Sequence, residues 1–207
     1  MKPFLNGMLT GLFLQLALGP VFFYILGITL DSSYINSFFG ILAVTIVDYI
    51  YIVLSLIGIG KLLQKDNIKT LFGFLSSIIL ILFGIMILLK GLMFINNPEQ
   101  AGSIAWAPLK SFTSCFVLTI SSPLTIVFWS SIFSAKAIEK GYEKKQLIIF
   151  GIGTGLSTFF FLSLTMIILS LLKSNIPDTI VQALNCSVGL VLVCYGITRV
   201  IKILRKL

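Results

Sequence analysis

Six apolar runs constrain this chain more than any short motif does. They are Phe4 to Leu30, Asn36 to Gly60, Leu71 to Leu89, Ser111 to Ala135, Gln146 to Leu172 and Thr179 to Thr198, and a single acid is the only charge in any of them. Crossing a bilayer as a helix takes about 20 apolar residues. A chain of 207 residues with six such runs has almost nothing left for a soluble domain. Its charged fraction, 11%, lies far below the ~25% of ordinary soluble domains. The expected fold is an all-α integral membrane protein with six transmembrane helices in the lipid bilayer.

The formal charge of +8 is a topology signal rather than a nucleic-acid signal. With six spans, one side of the membrane collects Lys2, a cluster at Lys61, Lys65 and Lys69, another at Lys136, Lys140, Lys144 and Lys145, and the tail from Arg199 to Lys206. Only Lys90, Lys110 and Lys173 fall on the other side. Basic loops stay inside, so both termini are expected in the cytoplasm and the chain in the cytoplasmic membrane, with no nucleic acid as partner. The first run is too long for a signal-peptide core and no small-residue cleavage site follows it, so it is expected to be retained. There is no histidine, and Cys115, Cys186 and Cys194 show no C-x-x-C spacing. No disulfide framework, His-based metal site or cofactor is expected.

Prolines interrupt two of the runs at matching places. At an offset of 103 residues, Phe13 falls on Phe116, Gly19 on Ser122 and Pro20 on Pro123. Proline removes its own N–H and forces the carbonyl four residues earlier off the helical ladder, so the carbonyls of Leu16 and Thr119 are predicted to be free. Irregular backbone at membrane depth is tolerated only inside protein or beside a water-filled cavity. Two broken helices at one depth therefore predict a cavity between them. The repeat continues beyond the prolines. Phe39-Gly40-Ile41 recurs as Phe150-Gly151-Ile152, and Phe83-Gly84-Ile85 as Tyr195-Gly196-Ile197, with Lys90 matching Lys202. A three-helix unit used twice must insert in opposite orientations, which gives the inverted repeat of secondary transporters, with the substrate site near the midplane between broken helices. The units are residues 1–95 and 111–207, joined by an extracytoplasmic linker at 96–110 that is rich in turn formers. Lys136 to Gln146 reads as a short solvated loop. Tyr34, Trp106 and Trp129 fall near expected interfaces, where amphipathic rings gather.

Asp48 is the one acid inside a span. It sits at the centre of the second run, at the depth of Pro20 and Pro123. Such a residue is costly and marks a functional site by default. No Lys or Arg lies deep in any expected span, so burial disfavours its ionised form. A carboxyl in that position can exchange a proton for a cationic or zwitterionic solute; the alternative is a permanently protonated Asp bonded to a neighbour. Thr45 lies on nearly the same face, and Thr154, Ser157, Thr158 and Thr165 lie on the matching stretch of the fifth span. Gln15 shares a helical row with Gly7, Gly11 and Gly19, which read as close-packing residues, as do Gly151 and Gly155. The helix starts after Pro20 and Pro123 suit an anion, whereas Asp48 and freed carbonyls suit an ammonium. Together they complement an amino-acid zwitterion. The site set is Gln15, Leu16, Gly19, Pro20, Thr45, Asp48, Thr119, Ser122 and Pro123.

From Leu118 to Trp129 the chain resembles the LysE/RhtB family of amino-acid exporters, whose members carry Asn-Pro followed by an apolar run and paired aromatics at this point. Leu18-Gly19-Pro20 is similar to the family's Pro-Gly-Pro in the first span, and Asp48 to its acid in the second. Ser122 stands where the family has Asn, and Leu18 where it has the first Pro. The resemblance implies efflux of amino acids or related small metabolites, driven by the proton gradient, and no enzymatic activity. Two other classes use the same architecture. Metal-ion export needs several O, N or S donors that this chain does not cluster. A thiol-disulfide conduit needs paired cysteines in the first and fourth spans, and Cys115 has no partner in the first. The identity of the solute and the oligomeric state, a homo-oligomer included, stay open.

Overall fold

The computed structural model describes residues 2–16, 19–58, 66–96, 107–122, 124–173 and 177–205. Among them the chain is all-helical: α1 (Lys2–Gln15), α2 (Pro20–Asp31), α3 (Tyr34–Leu56), α4 (Asp66–Asn96), α5 (Pro108–Ile120), α6 (Leu124–Lys140), α7 (Lys144–Leu172) and α8 (Asp178–Leu204).

Two of the six runs are not single helices. Pro20 occupies the first turn of α2 behind an extended Gly19, where its missing N–H would have had no intrahelical partner anyway. The axis turns by 77° between α1 and α2, and by 66° between α5 and α6. Pro123 itself lies outside the described residues, but α5 ends at Ile120 and α6 resumes at Leu124 around it.

Three helical stretches are long and apolar enough to span a membrane alone, Tyr34–Leu56, Lys144–Leu172 and Gln182–Leu204; counting each bent pair as one span gives up to five. α4 adds a further apolar stretch, Gly73–Leu89, inside a helix of 31 residues, Asp66–Asn96. The chain is a multi-pass membrane protein.

Helices extend past the apolar runs that predicted them. The solvated loop expected at 136–146 is helical through Lys140. Gly141, with φ of +61°, stops α6 there in the left-handed conformation that favours glycine after a helix. Glu143 and Gln146 then form a reciprocal capping box that starts α7. Likewise, α5 begins at Pro108, inside the expected linker, and α8 runs six residues beyond Thr198.

Packing crosses the boundary between the two sequence repeats. α1 lies along α7, α5 lies along α3, and α4 pairs with α8. A side chain at Gly7 would strike the Phe150 carbonyl, and one at Gly153 the Phe4 carbonyl. Those glycines let the backbones of α1 and α7 approach as small residues do in lipid-embedded helix pairs. Gly151 and Gly155 face α3 instead, against Ile52 and Tyr49. Gly19 has nothing within 4 Å of where a Cβ would stand, so it is not a packing residue.

Buried side chains form two clusters. One gathers Ile25 and Ile28 of α2, Ile41 of α3, Leu118 of α5 and Leu162 of α7. The other gathers Val47 and Tyr51 of α3, Trp129 and Phe133 of α6, and Phe150 of α7. Large apolar side chains such as Leu9, Phe13, Leu164 and Leu171 point outward. Contiguous exposed apolar surface is unusual for a soluble protein but suits a lipid-facing belt.

Candidate functional site

Asp48 is buried on α3, four residues after Val44 of one cluster and three before Tyr51 of the other. The Thr158 hydroxyl of α7 donates to Asp48 Oδ2 at 2.9 Å. Gln15 Nε2, at the last residue of α1, donates to the same Thr158 oxygen at 2.6 Å. A hydroxyl has one proton and two acceptor positions. By accepting from Gln15 and donating to Asp48, Thr158 links the break in the first span to the acid.

The second break is held by α3. The Tyr51 hydroxyl donates to the carbonyls of Ile120 at 2.8 Å and Thr119 at 3.2 Å, and Ser55 donates to Ile126 O of α6 at 2.9 Å. The Ser122 N–H also donates to Thr119 O. The carbonyl of Thr119, expected to be free, is thus paired twice. Proline predicts which carbonyl leaves the ladder, but not the tyrosine that arrives to meet it.

A cavity of about 290 Å³ lies where the breaks meet, near the lower end of the usual volumes of small-ligand sites. Gln15, Gly19, Pro20, Asp48, Thr119 and Ser122 line it. Leu16 does not; its side chain is exposed beyond the end of α1. Thr45 does not either, because its hydroxyl bonds back to Ile41 O within α3, the usual fate of hydroxyls in apolar helices. Pro123 falls outside the described residues.

The cavity also recruits residues that sequence reasoning passed over. Thr158 was one hydroxyl among several, and only the rotation of α7 selects it. Trp129, expected at an interface, is 3% exposed, lines the cavity, and its indole N–H has no hydrogen-bond partner among the described residues. Arg199 was assigned to the cytoplasmic tail; because α8 continues past Thr198, it lines the same cavity as Asp48. Among the described residues, no group of three Cys, Asp or Glu could hold a metal, and all three cysteines are free thiols.

Buried polar groups converging on a cavity between interrupted membrane helices define a transporter-like membrane protein. The family model described as LysE type translocator matches residues 12–202. The chain belongs to that family. It is similar, at 26% identity over 206 residues, to the "Putative amino acid efflux protein YcgF" of Bacillus subtilis (strain 168), with 95% of this chain and 94% of the relative aligned. No solved structure gives a significant match.

Proposed function

We propose that this protein is a secondary exporter that moves an amino acid or a related small metabolite out of the cell across the cytoplasmic membrane, coupled to protons at Asp48. The observation that carries the reading is Asp48 itself, among the described residues the only acid lining the cavity where both broken helices end. Membership of the translocator family and the efflux relative support it.

On this reading the chain makes six spans in two inverted three-helix units, residues 1–95 and 111–207, joined outside by 96–110, with both termini in the cytoplasm. Contacts between α4 and α8 support the inversion. The backbone approach of Gly84 to Gly189 is repeated by that of Gly196 to Ser77, which is the same contact with the partners exchanged at the 112-residue offset of the repeat. Side-chain bonds at the two ends of α7 support the sidedness. Asn6 donates to Tyr142 OH near the end bearing Lys140 and Lys144, and Lys173 donates to Ser32 O at the opposite end.

The moving bodies follow the packing. α1 travels with α7, and α5 with α3, because close backbone approach and the Gln15–Thr158 and Tyr51–Ile120 bonds tie them. Rocking one pair against the other opens the cavity to either side. Asp48 binds the ammonium group of the solute when ionised and takes a proton on the return step, so each cycle exchanges one for the other. The test is export of radiolabelled amino acids from cells carrying wild type or Asp48→Asn. Wild type should lower cellular retention of a particular amino acid and respond to collapse of the proton gradient, whereas Asp48→Asn at equal membrane abundance should do neither. Equal export by both, with the same pH profile, rejects proton coupling at Asp48; no amino-acid movement by wild type under any gradient rejects the exporter.

A further inference from the structure

We infer that Arg199 is the residue that recognises the carboxylate of the transported solute. The inference rests on the exporter reading and gives the second pole of its site. Arg199 is half-buried on α8 and lines the 290 Å³ cavity together with Asp48. It also lines an adjoining cavity of about 360 Å³, with Ser122, Thr125, Thr198 and Lys202, from which Asp48 is absent. Arg199 therefore borders both cavities, whereas Asp48 lines only the first.

Three features favour a ligand over a structural role. Arg199 and Asp48 do not form an ion pair, although they share a cavity; the protein partner of Asp48 is Thr158. Among the described residues no other acid lines either cavity. No carboxylate among the described residues pairs with Arg199, whose electrostatic neighbour is Tyr195 one turn earlier, and a guanidinium on a candidate membrane span is kept for function by default. Its planar fork matches a carboxylate bidentately, in a way that an ammonium or a hydroxyl does not. One acid and one guanidinium on the walls of a small cavity complement a solute carrying both charges. Lys202 is exposed and lines only the second cavity, away from Asp48.

The test is counterflow in vesicles of neutral phospholipid, using the radiolabelled amino acid that wild type transports best and its carboxamide, in which the carboxylate charge is removed. Wild type should prefer the acid to the amide by tenfold or more in half-saturating concentration. Arg199→Gln should abolish that preference, Arg199→Lys should keep part of it, and Lys202→Gln should leave it intact. The ratio of acid to amide does not depend on how much protein folds. An unchanged preference in Arg199→Gln overturns the inference while leaving the exporter standing. If Arg199→Gln alters transport only when anionic lipid is added, the arginine reads lipid phosphate and the inference fails. If wild type moves no amino acid at all, the exporter reading and the inference fall together.

Discussion

Replacing Thr158 by Val removes one hydroxyl at nearly constant volume and breaks two interhelical bonds at once, from Gln15 at 2.6 Å and to Asp48 at 2.9 Å. Hydrogen bonds between membrane helices are worth about 0.6 kcal/mol on average and up to about 1.7. Two of them place the loss at about 1 kcal/mol, rising to about 2 if the bond to the acid is at the strong end. Gln15→Leu breaks only the first bond. The double variant Gln15→Leu/Thr158→Val should then be little worse than Thr158→Val alone, because the bond between the two positions can be lost only once. The resulting non-additivity, about 0.6 to 1.7 kcal/mol, exceeds the ~0.3–0.5 kcal/mol scatter of independent sites. Unfolding of the four purified proteins in detergent measures it, and Thr158→Ser, which keeps the hydroxyl, serves as the control. Strictly additive losses would refute the relay, and so would a Ser variant as damaged as the Val variant. In transport, Thr158→Ser should retain most export and Thr158→Val should lose at least tenfold.

Two further outcomes follow from the packing and from the second break. Gly7→Ala should sharply lower membrane abundance, because the added methyl meets the Phe150 carbonyl, whereas Gly19→Ala should be tolerated by the packing; equal abundance of the two would contradict the close α1–α7 approach. Tyr51→Phe should cost about 0.6 to 1.7 kcal/mol in the same unfolding assay, since it withdraws the hydroxyl from the Thr119 and Ile120 carbonyls. No measurable change there would mean that the break in the fourth span holds without its tyrosine.

Local chemistry explains what was legible beforehand. Pro20 announces a broken helix because its ring and missing N–H act on its own turn, whatever surrounds it. Asp48 announces a site because a charge has no bland reason to sit in hydrocarbon. What depends on helix rotation was not legible. Thr154, Ser157 and Thr158 are alike in sequence, but Thr154 and Ser157 bond back along α7 while Thr158 faces Asp48. Arg199 was missed for another reason, since the end of an apolar run was taken as the end of its helix. Hydropathy reports where lipid stops; the backbone of α8 continues to Leu204. Trp129 was misplaced by the same reliance on depth over direction. Leu16 matters to the break through its carbonyl alone, since its side chain is exposed.

The pairing of α1 with α7 also sets an order of events during synthesis. Gln15 closes α1, and α7 begins only at Lys144, so more than 120 residues separate the two partners. At about 5–20 residues per second, α1 waits several seconds in the membrane before α7 has been made. During that interval Gly7 and Gly11 present bare backbone to lipid, and Gln15 lacks the hydroxyl it will meet in Thr158. α1 is therefore made well before the helix it packs against, and finds its place late.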